Sequence, residues 1–390
     1  MYADNIFITF TKFLEFIINF QNQYSNNIVN VKYFHSENVL LMKKYDTNMF
    51  YTNEFFNEHN LQEFVNFDNF VVYKTTYGNY KKYMHTLDTL FVMENDMDIF
   101  LQLPPQKSNI YDYSSNEWFL NRVVNRENVN DEFSKYTCLN EQNIVTYVVD
   151  TGIDIKHPEF EGRATWGMNF ADEEDTDCNM HGTHVAGLIG SKTFGVCKNA
   201  NLVAVKVLNC EGSGSYSGVI KGLEWVYKTH KNNNNKQKSV INMSLGGGKS
   251  NVIDAIIQKL VDTESMYVVV AAGNENSDSC NTSPAGVMDA ITVMASDISD
   301  SRAYFSNWGE CTDIYSPGVN ILSTIPNKRT RLLSGTSMAS PIVAGVLNHY
   351  IENYPFYNMK QLKELMLQNS TKNVIKKNRD SNNYLIYLGQ

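Results

Sequence analysis

None of the six cysteines in this chain forms a Cys-x-x-Cys pair, which argues against zinc ligation at the usual spacing. No apolar run approaches the length needed to cross a bilayer. Basic charge is not in excess: 33 Lys and Arg stand against 42 Asp and Glu, a net charge of -9. That balance argues against nucleic acid as the main partner. No internal repeat is evident. A clean secretory signal is also missing. Ile6 to Phe20 is apolar but broken by Lys12 and Glu15, and no small-residue cleavage site follows.

What is present suits a globular protein. The chain has 390 residues and an apolar share of 43%, enough for a sizeable core. Its length favours one large α/β domain plus a smaller one. Residues up to about Pro105 carry little glycine and many Tyr, Asn and Phe. Short apolar runs recur there, at Val39–Met42, Phe70–Tyr73 and Leu90–Met93. Amphipathic helices are expected over Phe13–Phe20 and Asn53–Phe67, giving a small α+β unit. Pro104-Pro105 and the polar stretch to Ser115 read as a linker. The boundary is placed between residues 107 and 108, so the units are 1–107 and 108–390. Asn232-Asn233-Asn234-Asn235 reflects compositional bias, and His230–Lys238 reads as a polar surface loop.

Beyond Asn121 strands alternate with helices. Ile144–Val149, Leu202–Leu208, Val240–Met243, Tyr267–Ala272 and Ile291–Val293 are continuous apolar runs of the kind that form parallel strands covered on both faces. Helices are expected over Ser217–Tyr227, Val252–Thr263 and Met338–Tyr350. The fold class is α/β, a parallel sheet sandwiched by helices.

Three motifs carry the chemistry. Asp150-Thr151-Gly152 follows a buried strand, and the carboxyl ends of such strands are where ligands collect. His181-Gly182-Thr183-His184-Val185-Ala186-Gly187 opens a run of small residues suited to a helix start. Gly335-Thr336-Ser337-Met338-Ala339-Ser340-Pro341 opens another. Serine is a weak nucleophile that needs an adjacent base. Histidine is the usual base, and a buried carboxylate holds its tautomer. A serine at a helix amino terminus has backbone N–H groups where negative charge develops. His184, one turn after His181, reads as a structural histidine.

At these residues, in the order Asp, His, Ser, the chain resembles the subtilisin-like serine proteases, and its flanks look closest to the proteinase K branch. The resemblance runs from about Trp118 to Leu367. It implies Asp150, His181 and Ser337 as catalytic, with Ser340 set aside. It implies Asn274, in Ala271-Ala272-Gly273-Asn274, as an oxyanion donor beside the Ser337 amide. Ser244-Leu245-Gly246-Gly247 resembles the segment that pairs with an extended substrate, and Ser213-Gly214-Ser215-Tyr216 the opposite wall. Ala271, Ala272 and Gly273 would floor the pocket. No acidic residue appears in these walls, so a broad apolar or aromatic preference at the cleaved carbonyl is expected.

The even cysteine count points to disulfides and an oxidising compartment. By resemblance Cys178 pairs with Cys210 and Cys280 with Cys311. Cys138 and Cys197 match no family position; they pair with each other or remain two thiols. No cofactor is expected for catalysis. Asp313 aligns with a ligand of a structural calcium, whose other ligands would be backbone carbonyls near Met288 and Ala290. The amino-terminal unit has the position and texture of a propeptide that inhibits its own catalytic domain, and Trp118-Phe119-Leu120-Asn121-Arg122 resembles the start of a mature domain. The resemblance thus implies a secreted, self-processing serine endopeptidase acting on proteins or peptides, with self-cleavage between about Leu103 and Ser115.

Overall fold

The computed structural model describes residues 38–43, 53–68, 70–101, 104, 117–128, 138, 143–233 and 237–389. All of them fall within one compact unit, Glu37–Gln390. The expected helix at Phe13–Phe20, the 107/108 boundary and nearly all of the expected cleavage region lie outside the described residues.

The amino-terminal part is an antiparallel sheet of β1 (Asn38–Lys43), β2 (Gln62–Phe67), β3 (Phe70–Thr76) and β4 (Phe91–Asn95), in the order β2-β3-β1-β4. Helix α1 (Asn53–Glu58) precedes β2, and α2 (Tyr77–Leu90) links β3 to β4. The side chains of β1 alternate, as a period of two requires. Val39 and Leu41 pack with Leu87 and Phe91, whereas Leu40 and Met42 face the main body of the protein. The helix expected over Asn53–Phe67 is therefore half a strand. Asn60 takes a left-handed φ of 51° that ends the helical stretch. Val65 and Phe67 then alternate into the core.

A short strand β5 (Asp98–Leu101) leaves this unit, and helix α3 (Trp118–Val124) begins the next. Then follow β6 (Ile144–Asp150), β7 (Ala164–Asn169), α4 (His181–Gly190), β8 (Asn201–Lys206), β9 (Ser213–Ser215) and α5 (Tyr216–Asn232). Next come β10 (Lys238–Met243), β11 (Leu245–Gly248), α6 (Asn251–Val261), β12 (Met266–Ala271) and β13 (Thr282–Ser283). The chain ends through β14 (Ile291–Ser296), β15 (Ile314–Pro317), β16 (Ile321–Ile325), β17 (Arg329–Leu333), α7 (Thr336–Asn353), α8 (Met359–Asn369), β18 (Thr371–Lys372) and β19 (Tyr384–Leu385).

The main sheet runs β18-β19-β15-β14-β12-β10-β6-β8-β7 and is parallel from β19 to β7. Its strands are Val- and Ile-rich because both faces are covered. Ile144 and Val148 of β6 enter the core beneath α4, α7 and α8. Val145, Tyr147 and Val149 enter the core shared by α5, α6 and the amino-terminal sheet. Helix α3 docks into the first core through Trp118, Phe119 and Leu120. Its buried Arg122 makes paired contacts with Asp300 at 2.7 and 3.3 Å.

The polar loop expected at His230–Lys238 begins as helix. Leu223, Val226, Tyr227 and His230 share the i, i+3, i+4, i+7 face of α5, so His230 is buried. Its ring nitrogens lie 2.8 Å from Ser239 Oγ and 3.0 Å from the Glu264 carbonyl.

All six cysteines are paired, as Cys138–Cys197, Cys178–Cys210 and Cys280–Cys311. The first pair spans 59 residues and ties the segment before β6 to the loop before β8. Replacing both of its cysteines with serine should cost about 2–4 kcal/mol, the loss expected when a long loop is freed in the unfolded chain. Urea unfolding of the unreduced protein checks this.

Candidate active site

Strand β6 delivers Asp150 to its carboxyl end, and the chain turns at Gly152 with a φ of 105°. Helix α4 starts at His181, one residue after Met180 at a φ of 95°. The two segments touch backbone to backbone: a Cβ added to Gly182 would lie 2.0 Å from the Gly152 carbonyl oxygen. Thr151 Oγ1 also accepts the Gly182 N–H at 2.9 Å. That is why glycine stands in both motifs.

Asp150, His181 and Ser337 are all fully buried. His181 Nδ1 lies 2.8 and 3.0 Å from the two Asp150 oxygens. Asp150 Oδ1 accepts the Thr151 N–H at 2.7 Å. With a carboxylate on its Nδ1 side, the imidazole places its proton there and leaves Nε2 as an acceptor. That Nε2 is buried and has no hydrogen-bond partner among the described residues. Ser337 sits in the first turn of α7, and its hydroxyl donates to the Ser244 carbonyl at 3.0 Å. Ser340, the alternative serine, lies 2.9 Å from Ser244 Oγ in a buried hydroxyl cluster.

Asn274 follows β12. Its Oδ1 accepts from the Thr336 N–H at 2.9 Å and the Thr336 hydroxyl at 3.1 Å. Anchoring the carbonyl end leaves Nδ2 as the donor end of a fixed amide. Gly273 turns with a φ of 104°, and a Cβ there would strike Asn307 Nδ2 at 2.3 Å. Asn307 is a hub that the sequence did not disclose. Its Oδ1 accepts from the N–H groups of Glu275 and Ser277, and its Nδ2 donates to the Ala272 carbonyl and to Glu275 Oε2.

The two walls read from the sequence lie on either side of a strand from this same chain. β5 pairs antiparallel with β9, placing Ile99 opposite Gly214 and Phe100 opposite Ser213. On its other edge it pairs with β11, Leu101 opposite Leu245 and Phe100 opposite Gly246. Ser215 pairs with Asp98 and also caps α5. Below lies a cavity of about 300 Å³ lined by Gly246, Ala271, Gly273 and their neighbours, with Phe100 and Leu101 at its edge. Ser244, expected on the wall, instead points behind Ser337 and donates to the Ser337 carbonyl at 3.0 Å. Glu275 also lines the cavity, an acidic group that the wall segments alone did not contain.

Asp177 is the second residue that the motifs did not reveal. It is buried, yet accepts from the Thr151 hydroxyl, the Met180 N–H and the Thr183 N–H at 2.8–2.9 Å. It thus caps α4 and binds the Asp150 turn to the His181 turn. Burial, the larger influence, raises its pKa against these hydrogen bonds. His184 is structural, as expected. Its Nε2 contacts the carbonyls of Ile321 and Arg331 at 3.1 and 2.9 Å. Burial lowers its pKa to about 3.

The oxygens assigned to calcium do not fit that ion. Asp313 Oδ1 lies 2.7 Å from the Lys363 ammonium, which also donates to the carbonyls of Met288 and Ala290. A lysine from α8 thus meets the ligand set that the resemblance gave to a metal. Calcium takes six to eight oxygens, and these three already contact a positive charge.

Gly182→Ala should destabilise the protein by about 3 kcal/mol, the upper end of the usual overpacking cost, because the collision is with backbone. Gly248→Ala, with nothing within 4 Å of its added Cβ, should stay within about 0.5 kcal/mol. Chemical unfolding of the two variants reads the difference. His184 sets an acid limit. Between pH 6.5 and about 3 the unfolded chain takes up a proton that the folded chain excludes. Stability therefore falls as pH falls, by up to about 1.4 kcal/mol per pH unit from this residue. Unfolding midpoints from pH 7 to 4 should decline less steeply in His184→Gln.

A family model described as the subtilase family matches residues 141–384. Cerevisin of Saccharomyces cerevisiae is 46% identical over 300 residues, covering 71% of this chain and 47% of that protein. The subtilisin-like serine protease Rho m 2.0101 of Rhodotorula mucilaginosa is 51% identical over 249 residues, 61% of this chain and 72% of the relative. The chain thus spans about half the length of cerevisin. A crystal structure of a cold adapted subtilisin-like serine proteinase superposes with a TM-score of 0.65 at 42% identity, over 70% of this chain and 98% of that one. The family model covers more than half of the chain, and this chain belongs to the subtilase family.

Proposed function

We propose that the chain is a serine endopeptidase made as a self-processing zymogen, with Asp150, His181 and Ser337 as its triad. The observation that carries this reading is the buried His181, held through Nδ1 by Asp150 while its Nε2 has no partner among the described residues. Such a base is ready to take a proton.

In the reaction, Ser337 Oγ bonds to the substrate carbonyl carbon as its proton passes to His181 Nε2. The carbonyl oxygen becomes an oxyanion, held by the Asn274 side-chain N–H and the Ser337 backbone N–H at the positive end of α7. The imidazolium then gives its proton to the amide nitrogen. The C–N bond breaks, the amine leaves, and the acyl group remains on Ser337. A water repeats the sequence, giving its proton to His181, and frees the acid and the serine. Asp150 stays a carboxylate throughout and orients the ring.

Substrate enters as an extended strand between β9 and β11. The small residues Gly246, Ala271 and Ala272 around the cavity favour broad acceptance of apolar or aromatic side chains before the cut bond. The Glu275 carboxylate is engaged by Asn307 at 2.8 Å, which tempers any attraction for basic side chains.

The amino-terminal unit acts as the intramolecular inhibitor. β5 fills the substrate groove, and two acidic residues just before it bind helix amino termini. Glu94 accepts from the Ser250 hydroxyl and the Asn251 N–H at the start of α6. Asp96 accepts the Ser217 N–H at the start of α5 at 2.9 Å. Self-cleavage then falls between about Leu103 and Ser115. The three disulfides favour an oxidising, extracellular setting.

The test follows mass and casein hydrolysis together in the full chain and in Ser337→Ala. The wild-type chain should lose roughly its first hundred residues, about one small domain, and gain activity. Ser337→Ala should do neither. An intact and inert wild-type chain under activating conditions would overturn the reading. Asn274→Leu should lower kcat roughly 10²–10³-fold with KM little changed, the size of effect known for such a donor in subtilisin. Best cleavage after Lys or Arg in a peptide panel would overturn the apolar preference.

A further inference from the structure

We propose that Lys363 is a built-in cation that replaces a metal ion at the Asp313 site, so that this junction of the fold is held together without calcium. The case begins with donor counting. A lysine ammonium has three N–H groups and no acceptor. Lys363 Nζ meets three oxygens: Asp313 Oδ1 at 2.7 Å, the Ala290 carbonyl at 2.7 Å and the Met288 carbonyl. Each donor has one partner.

The remaining carboxylate oxygen is also taken. Asp313 Oδ2 accepts the Thr292 N–H at 2.8 Å. The side chains of the pair are only 14% and 12% exposed. At this depth the pair is screened far less than a surface salt bridge. A calcium ion here would have to share three protein oxygens with a unit positive charge that already contacts all of them.

Three pieces of chain distant in sequence meet at this ammonium. Met288 and Ala290 precede β14, Asp313 precedes β15, and Lys363 comes from α8. The first piece continues backward to Ala285 and Thr282, which line the cavity beside β11. Thr292 ties the two ends of that piece together, since its hydroxyl donates to the Ala285 carbonyl at 3.0 Å. The lysine thus braces the far side of a pocket wall. Because it is covalently part of α8, the brace is always loaded. A bound ion would be lost at low calcium or to a chelator, whereas this one is lost only with the helix.

The experiment reads binding and unfolding in the full-length Ser337→Ala chain, so it stands or falls separately from the protease reading. Calcium chloride is titrated calorimetrically, and thermal unfolding is recorded with millimolar calcium and with EDTA. The expected result is that the shift of the unfolding midpoint between the two conditions is the same, within about 1 °C, with and without Asp313→Asn. Any calcium uptake elsewhere should persist unchanged in Asp313→Asn. Calcium binding that Asp313→Asn abolishes would overturn the proposal. This arm leaves the Lys363 clamp intact and stays decisive if a Lys363 variant fails to fold. In a second arm, Lys363→Met should lower the midpoint by roughly 10 °C, because it strands a buried carboxylate. Adding Asp313→Asn to Lys363→Met should recover part of that loss. Single losses that simply add would show that the two groups do not act as a pair, and would sink the clamp.

Discussion

The contact of two glycine backbones, Gly152 against Gly182, sets the distance from strand β6 to helix α4, and with it the distance from Asp150 to His181. No side chain fits between them. A helix approaching a strand end this closely exposes its first N–H groups to a crowded, dry place, and those donors need acceptors. Met180 supplies no side-chain cap. Thr151 and Asp177 take its place, Thr151 from the strand turn and Asp177 from the loop before the helix. The same hydrogen bonds that satisfy the helix end therefore lock Asp150 against His181. Precision at the site is a by-product of solving a burial problem.

The legible part of this protein was the part encoded in short stretches. Asp150, His181 and Ser337 each sit among small residues whose conformational demands are local, and the Val- and Ile-rich strands announced a sheet buried on both faces. The strands β9 and β11 that flank β5 are readable for the same reason. What escaped was built across long separations. Asn307 joins residues about 30 positions earlier. Lys363 meets the Ala290 carbonyl 73 positions away, and no local pattern marks it apart from any helix lysine. Asp177 stands among Asp172, Glu173, Glu174 and Asp175, and nothing local sets it apart. His230 was hidden by the asparagine run that follows it, although the helical spacing from Leu223 leads to it. At Asn53–Phe67 one apolar stretch holds a short helix and a strand, and short apolar runs do not separate the two periods. Glu275 stands just outside the motif to which its neighbours belong.

Buried charge in this fold follows a common plan. Arg122 with Asp300 and Lys363 with Asp313 each join a helix near one end of residues 117–389 to a loop in the later half of that stretch. A hydrophobic contact would tolerate sliding, whereas a two-point guanidinium contact or a saturated ammonium accepts one arrangement. Helices α3 and α8 are thus fixed in position as well as covered. The cores supply the cohesion, and these pairs supply register.

Strand β5 has hydrogen bonds on both of its edges, to β9 on one side and β11 on the other. A visitor taking its place must therefore offer bare backbone on two sides at once. A helix has none to offer, since its N–H and C=O groups are already spent, and a strand inside another sheet has at most one free edge. Only a segment already pulled out of its own structure qualifies. The groove is thus a gauge of disorder. Under the function proposed above, which proteins are cut, and where, would be decided in large part by how readily each one lets a few consecutive residues come loose, before any side chain reaches the pocket.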